Sequence, residues 1–185
     1  MPMLDLPALW RPETHQTLFR LILDATARPG TVADLSAHLG DGTAALAVLA
    51  SFCDNTQSLA DLTGTVDATA RNFLDTPTAI ADQAAFVLAD GAAAPGFTPR
   101  LGTLDLPDGG ATIVLQVAHL GAGQALRLSG PGIKDITTLH VSGLHAGWLT
   151  ARAQWCANFP LGCDMVLADA TTIAVLPRTT QIKEA

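Results

Sequence analysis

Phe159-Pro160-Leu161-Gly162-Cys163-Asp164-Met165-Val166-Leu167-Ala168-Asp169-Ala170-Thr171-Thr172-Ile173-Ala174-Val175-Leu176-Pro177-Arg178-Thr179-Thr180 sets two short apolar runs on either side of Asp169-Ala170-Thr171-Thr172. The runs are too short for ordinary globular helices and are rich in Val, Ile and Leu. They predict a pair of strands joined by a tight turn. Asp164 stands where the first run begins, and Arg178, Thr179 and Thr180 stand where the second ends. A hydrophobic hairpin with a carboxylate and a guanidinium at its ends is a core element with recognition chemistry at its rim.

Working outward, Ala111–Ala118 is the strongest strand, with Ile113, Val114, Leu115 and Val117 in nearly unbroken order. A strand without alternation is buried on both faces, as in a central sheet covered by helices. Gly121-Ala122-Gly123 predicts a turn, Gln124–Leu128 the next strand, and Gly130-Pro131-Gly132 its end. Ala146–Asn158 predicts a helix bearing Trp148, Leu149 and Trp155. Upstream, Glu13–Ala27 places Leu18, Leu21, Ile22 and Ala25 at helical spacing, with Pro12 at its start and Pro29-Gly30 at its stop. Thr43–Phe52 is an alanine-rich helix with little polar face, and Val66–Leu74 a shorter one stopped at Thr76-Pro77. Thr31–Leu35, Ser58–Leu62 and Ala84–Ala89 read as further strands. Residues 1–12, with three prolines, read as an irregular arm. Asp90–Arg100 reads as a mobile surface loop that does not divide the chain. The expected architecture is therefore one α/β domain over residues 1–185, a three-layer helix–sheet–helix sandwich with a mixed sheet.

Composition narrows the function. The 185 residues carry a net charge of −7 with only Lys134 and Lys183 as lysines, which argues against a nucleic-acid surface. Hydrophobic residues make up 49% and charged residues 15%, against about 25% charged in ordinary soluble domains. Two readings fit: an alanine-rich globule, or a subunit with large buried interfaces. The low charge fraction, Trp148, Trp155 and the apolar helices predict self-association as a homodimer. No apolar run reaches the about 20 residues of a membrane span. The first residues lack the pattern of a signal peptide. Cys53, Cys156 and Cys163 are odd in number and lack CxxC spacing, so they predict small buried residues in a reducing cytoplasm, not a disulfide framework or zinc site.

The chemical signals are few. His140 and His145 are five apart, the wrong spacing for two ligands on one helical face, so no metal is expected. Neither Gly121-x-Gly123 nor Gly130-x-Gly132 leads into Gly-Lys-Ser/Thr, and both read as turns. Asp54 and Asn55 suit turn chemistry. Arg20 and Arg28 share one helical face, which suits a solvated side. Arg178 follows a rigid proline and precedes two hydroxyls, a trio suited to a carboxylate or phosphate oxygen. Asp164 either caps a turn or joins that rim. A pyridoxal enzyme needs a buried Schiff-base lysine, and neither Lys134 nor Lys183 lies in an obvious site.

The Phe159–Thr180 stretch resembles the C-terminus of the PhnH family, subunits of the bacterial carbon–phosphorus lyase system. Phe19-Arg20 with Ala27-Arg28-Pro29-Gly30, Cys53-Asp54-Asn55-Thr56, and Leu126-Arg127-Leu128-Ser129-Gly130-Pro131-Gly132-Ile133 agree in order, over residues 12–182. The resemblance implies the fold of the large domain of pyridoxal-phosphate transferases, without the cofactor. It implies assembly with PhnG-, PhnI- and PhnJ-like chains. It also implies an assisting role while alkylphosphonate is joined to the ribose C1 of ATP with release of adenine. By the same resemblance, the nucleosidase chemistry is expected to fall mainly to the PhnI-like chain, with a radical step on the iron–sulfur PhnJ-like chain breaking the carbon–phosphorus bond. Candidate recognition residues are Arg20, Asp54, Asp164, Arg178, Thr179 and Thr180. The competing reading is a free-standing small-anion-binding protein or enzyme using Asp54, Asp164 and Arg178.

Overall fold

The computed structural model describes residues 6–184. The helices are α1 (Pro12–Ala27), α2 (Ser36–Leu39), α3 (Ala44–Phe52), α4 (Ala68–Leu74) and α5 (Ala146–Trp155). The strands are β1 (Ala33–Asp34), β2 (Leu59–Asp61), β3 (Phe86–Asp90), β4 (Thr112–Gln116), β5 (His119–Ser129), β6 (Thr137–Ser142), β7 (Asp164–Ala168), β8 (Thr172–Leu176) and β9 (Gln181–Glu184). Six strands form a mixed sheet in the order β1-β8-β7-β4-β3-β2, and three form a second sheet in the order β6-β5-β9. In the large sheet β2, β3, β4 and β7 run parallel, while β8 returns antiparallel to β7.

Local chemistry places the helices. Proline fits the first turn of α1, where an amide hydrogen would be unpaired anyway. The Thr43 hydroxyl caps α3 by accepting from the Leu46 amide at 3.2 Å, and Asp67 caps α4 by accepting from Ala70 at 2.7 Å. The six residues Ala44, Ala45, Ala47, Val48, Leu49 and Ala50 of α3 are all buried, as its missing polar face predicts.

The period of two along β4, β7 and β8 divides the core. Val114, Val166, Ile173 and Val175 face one side with Leu18 and Ile22 of α1 and Val48 and Leu49 of α3. Ile113, Leu115, Met165, Leu167, Ala174 and Leu176 face the other, with Leu126, Leu128, Leu139 and Val141 and the indoles of Trp148 and Trp155. Three layers result, but the second cover is the small sheet together with α5, not helices alone. This differs from the expected helices on both faces, because β6 and β9 pair with β5 and turn Leu126, Leu128, Leu139 and Val141 onto the large sheet.

Other segments differ from expectation. Gly121-Ala122-Gly123 is not a turn between strands. It lies inside the long β5, where the pairing with β6 shifts between Leu120 and Gln124 as a β-bulge. The loop expected to be mobile is fastened instead: the Trp148 indole donates to the Ala93 carbonyl at 2.7 Å, and Phe97 stacks on Trp155 with ring centroids 6.2 Å apart. Within the predicted arm, Ala8–Trp10 forms a 3-10 turn that buries Leu9 and stacks Trp10 on Phe73 at 5.0 Å. Residues 1–5 of that arm lie outside the described residues. Among the described residues no helix is long and apolar enough to cross a membrane.

The bulge can be tested. Gly121 (φ +97°) and Gly123 (φ +99°) both take positive φ, but a Cβ at Gly121 meets nothing, whereas one at Gly123 comes within 2.6 Å of the Val141 carbonyl oxygen. Gly121→Ala should cost roughly 1–3 kcal/mol for backbone conformation alone. Gly123→Ala should cost measurably more in denaturant unfolding. Equal losses would mean that the segment is a free turn.

Candidate functional site

The structure brings Asp164 and Arg178 together at the amino edge of the parallel strands. Asp164 opens β7, and Arg178 lies two residues past the end of the antiparallel β8, so the hairpin register sets them side by side. The Asp164 carboxylate accepts from the Arg178 backbone amide at 2.7 Å and from its Nη2 at 2.7 Å, with Nε at 3.3–3.4 Å from the two oxygens. Nη1 donates to the carbonyls of Pro107 (2.6 Å) and Pro160 (3.5 Å). The bond to Asp164 raises the Arg178 pKa and outweighs desolvation. Gly110 lies under the guanidinium, where a Cβ would stand 3.0 Å from Nη1. The fork predicted for an external oxygen is thus turned inward, with the side chain 14% exposed.

The remaining candidates do not join this pair. The Thr180 hydroxyl is buried without a hydrogen-bond partner, and Thr179 is half-buried with its carbonyl against Gly130. Asp54 shapes the turn after α3 by accepting from the Thr56 amide (2.8 Å) and hydroxyl (2.6 Å), and the hydroxyl bond above all lowers its pKa. Arg20 is exposed on α1 and makes no hydrogen bond or ion pair among the described residues, while Arg28 pairs with Asp24 one turn earlier.

Sequence reasoning missed Arg152. It is 4% exposed, donating through Nη1 to the Thr180 carbonyl at 3.0 Å and through Nη2 to the Pro177 carbonyl, while its Nε is buried without a partner. Burial lowers its pKa, against the pull of the Cys156 and Cys163 thiols and of Asp164. The signal was present: Trp148, Arg152 and Trp155 follow the i, i+4, i+7 spacing of one helical face. Beside Arg152 opens a cleft of about 430 Å³, lined also by Cys156, Thr150, Gln181 and Lys183.

In open α/β sheets ligands gather outside the carboxyl ends of the strands. Here that edge is acidic: Asp61 ends β2, Asp90 ends β3, and Asp169 follows β7. Asp169 accepts from the amides of Leu120 (3.0 Å), Thr171 (3.0 Å) and Thr172 (2.8 Å), with His119 Nδ1 at 3.5 Å. Burial alone would raise its pKa, but the amide bonds prevail and hold it below the ordinary carboxylate value. Asp61 likewise organises the turn through Thr63, Gly64 and Val66, with Arg71 at 3.7 Å. Gln116 donates to the Thr65 hydroxyl at 3.2 Å. A second cleft, of about 320 Å³, runs past Asp90 between Leu62, Phe97 and Trp148. Among the described residues no group of three or more His, Cys, Asp or Glu is placed to hold a metal ion.

Two outcomes follow for stability. Arg178→Ala takes the guanidinium from Asp164 and from two loop carbonyls but keeps the backbone amide bond to Asp164, so it should cost more than the about 0–1 kcal/mol of an exposed pair and less than the about 3–5 kcal/mol of a buried one. Arg178→Lys should lose part of this, because an ammonium cannot reach both Asp164 and the two carbonyls. Unchanged melting of both would show that the pair holds nothing. For Asp169, a folded pKa below the unfolded value of about 3.9 gives stability that is full above about pH 5 and lost as the pH falls through the folded pKa. Asp169→Asn should flatten that acid limb in denaturant titrations run from pH 7 to pH 3, and an unaltered limb would refute the assignment.

Residues 8–183 match the family model described as "Bacterial phosphonate metabolism protein (PhnH)". A Stutzerimonas stutzeri protein, named putative C-P lyase subunit protein HtxG, is 41% identical over 174 residues, covering 94% of this chain and 88% of that one. A Rhizobium meliloti (strain 1021) protein, named alpha-D-ribose 1-methylphosphonate 5-triphosphate synthase subunit PhnH, is 33% identical over 181 residues, covering 91% and 90%. With nearly every described element inside the matched region, the chain belongs to the PhnH family of bacterial phosphonate metabolism proteins.

Proposed function

We propose that this chain is a subunit of a carbon–phosphorus lyase system for alkylphosphonates. It assists the joining of phosphonate to the ribose C1 of ATP, with release of adenine, while PhnI- and PhnJ-like partners supply the bond-breaking groups and a PhnG-like chain completes the assembly. Family membership over residues 8–183 carries this reading, and the names of both relatives support it. The charge distribution supports the assisting role. A triphosphate needs clustered cations, yet the carboxyl edge presents Asp61, Asp90 and Asp169, and Arg178 at the amino edge already holds Asp164. That engagement also weakens the competing reading of a free-standing anion-binding protein.

The fold is proposed to follow the large domain of pyridoxal-phosphate transferases without using the cofactor. Lys134 and Lys183 are both exposed, so neither is held where a Schiff base would be shielded from water. A cytoplasmic homodimer of the isolated chain belongs to the same proposal, supported by exposed apolar side chains such as Phe19, Leu104 and Phe159.

Co-expression with PhnG-, PhnI- and PhnJ-like chains tests the proposal. This chain should co-purify with them, and its omission should abolish release of adenine from ATP and methylphosphonate. The chain alone should release none and should sediment as a dimer at micromolar concentration. Adenine release by the isolated chain, or full release without it, would refute the assisting role, and a monomer in sedimentation would refute the dimer.

A further inference from the structure

Cys156 and Cys163 flank the segment that returns from the end of α5 to the start of β7. Cys156 is the C-cap of α5, its amide donating to the Arg152 carbonyl at 2.9 Å. Its thiol donates to the Cys163 carbonyl oxygen at 3.5 Å, which sets the two cysteines side by side across the return. Gly162 leaves room for this approach, since a Cβ there would stand 3.1 Å from the Cys156 sulfur. The two cysteines differ in access. Cys163 is fully buried, whereas Cys156 is half-buried and lines the cleft shared with Arg152, Gln181 and Lys183.

The charges around the pair favour one thiolate. Arg152 is a buried guanidinium whose hydrogen bonds end on the neutral carbonyls of Pro177 and Thr180. Its field acts on Cys156, and Arg178 adds to it, while Asp164 opposes both. Contact with the Cys163 thiol, more than any other cause, brings Cys156 down to about 6, and the same contact and burial push Cys163 up. Cys53 is the opposite case, with burial and Asp54 pushing it up to about 12.

We propose that Cys156 and Cys163 are a peroxide-sensitive dithiol, with Cys156 as the attacking sulfur at the cleft and Cys163 as the resolving sulfur behind it. The Cys156 thiolate attacks one oxygen of a hydroperoxide, the O–O bond breaks, and the other oxygen leaves as water after taking a proton. Cys156 is then a sulfenic acid. The Cys163 thiol attacks that sulfur, the S–O bond breaks, and the hydroxyl leaves as water with the Cys163 proton. The sum is two thiols and one peroxide giving one disulfide and two waters. When Cys156 is a neutral sulfenic acid its negative charge no longer opposes ionisation of Cys163, so the first step prepares the second.

The experiment treats the reduced full-length chain with one equivalent of hydrogen peroxide at pH 7. Remaining thiols are then alkylated in denaturant, and the peptides, cleaved after Leu161, are weighed. Cys156 and Cys163 should disappear together as a linked pair, leaving Cys53 alkylated, and dithiothreitol should restore both. Cys156 should react about tenfold or more faster than Cys53, because thiolate fraction governs attack at neutral pH. In Cys163→Ser, Cys156 should be trapped by dimedone as a sulfenic acid. In Cys156→Ser, Cys163 should stay reduced. Oxidation of Cys53 at the rate of Cys156, or sulfinic acid at Cys156 with Cys163 still free in the parent chain, would overturn the proposal.

Discussion

A sheet that is apolar on both faces must be covered twice, and the rest of this structure answers that demand. Ile113, Val114 and Leu115 are successive in β4 and all fully buried, so their side chains enter opposite cores. One helical layer, α1 with α3, closes the first face. The second face needs more material than α5 provides, and the β6-β5-β9 sheet supplies it. Each fully buried Leu or Ile is worth about 1.5–3 kcal/mol relative to exposure. That driving force outweighs the conformational cost of threading the long, bulged β5 across the layer.

Covering the second face creates a polar problem at the place where the chain leaves one sheet for the other. β8 ends in the large sheet at Leu176, and β9 begins in the small one at Gln181. The four residues between must cross a buried rim with their carbonyls still satisfied. Two guanidiniums resolve it. Arg152 takes the carbonyls of Pro177 and Thr180 from below, and Arg178 folds back on Asp164 while tying in Pro107 and Pro160. An unpaired buried carbonyl costs about 1–3 kcal/mol. Arg152 offsets that penalty at Thr180 and adds a second donor to Pro177, which already accepts from the Thr180 amide, while Arg178 ties the crossing to the neighbouring loops.

The elements with strong periodicity were legible. The β7–β8 hairpin, β4, α1 and α3 lie within a residue or two of their predicted bounds, because burial on one face or both writes itself into residue order. β6 was not legible: Thr137-Thr138-Leu139-His140-Val141-Ser142 buries only Leu139 and Val141 and leaves histidine and threonine outward. β9 was hidden by the chain end and by its charged Lys183. The fastening of the 91–100 loop runs through the indole bond from Trp148 to Ala93 and the stacking of Phe97 on Trp155, contacts across more than fifty residues of sequence that no local pattern records. At the rim, the sequence marked Asp164 and Arg178 as polar groups at the two mouths of a hairpin. It could not tell that the register would place them against each other. Arg152 was marked by the tryptophan stripe and overlooked because an arginine between two alanines reads as solvent-facing.

Tether and recognition are not exclusive at Arg178, and the geometry says how they connect. The guanidinium itself faces inward, so a partner cannot use it as a free fork. Its two carbonyl acceptors, however, belong to loops that carry exposed apolar side chains: Leu104 (76% exposed) and Leu106 (59%) before Pro107, and Phe159 (69%) before Pro160. Loss of the fork loosens both loops at once, leaving backbone bonds such as Gly162 amide to Leu101 carbonyl (3.0 Å) to hold them. A variant at Arg178 therefore reaches any contact made by Leu106 or Phe159 through backbone position, not through charge. Lysine, which keeps the charge and loses the geometry, separates the two routes: a charge contact tolerates it, whereas loop placement does not. If partner retention in Arg178→Lys tracks the loss of melting temperature, the residue acts as a positioning group for its loops. If retention falls while melting holds, the guanidinium turns outward in the assembly, and Asp164 must then find another donor there.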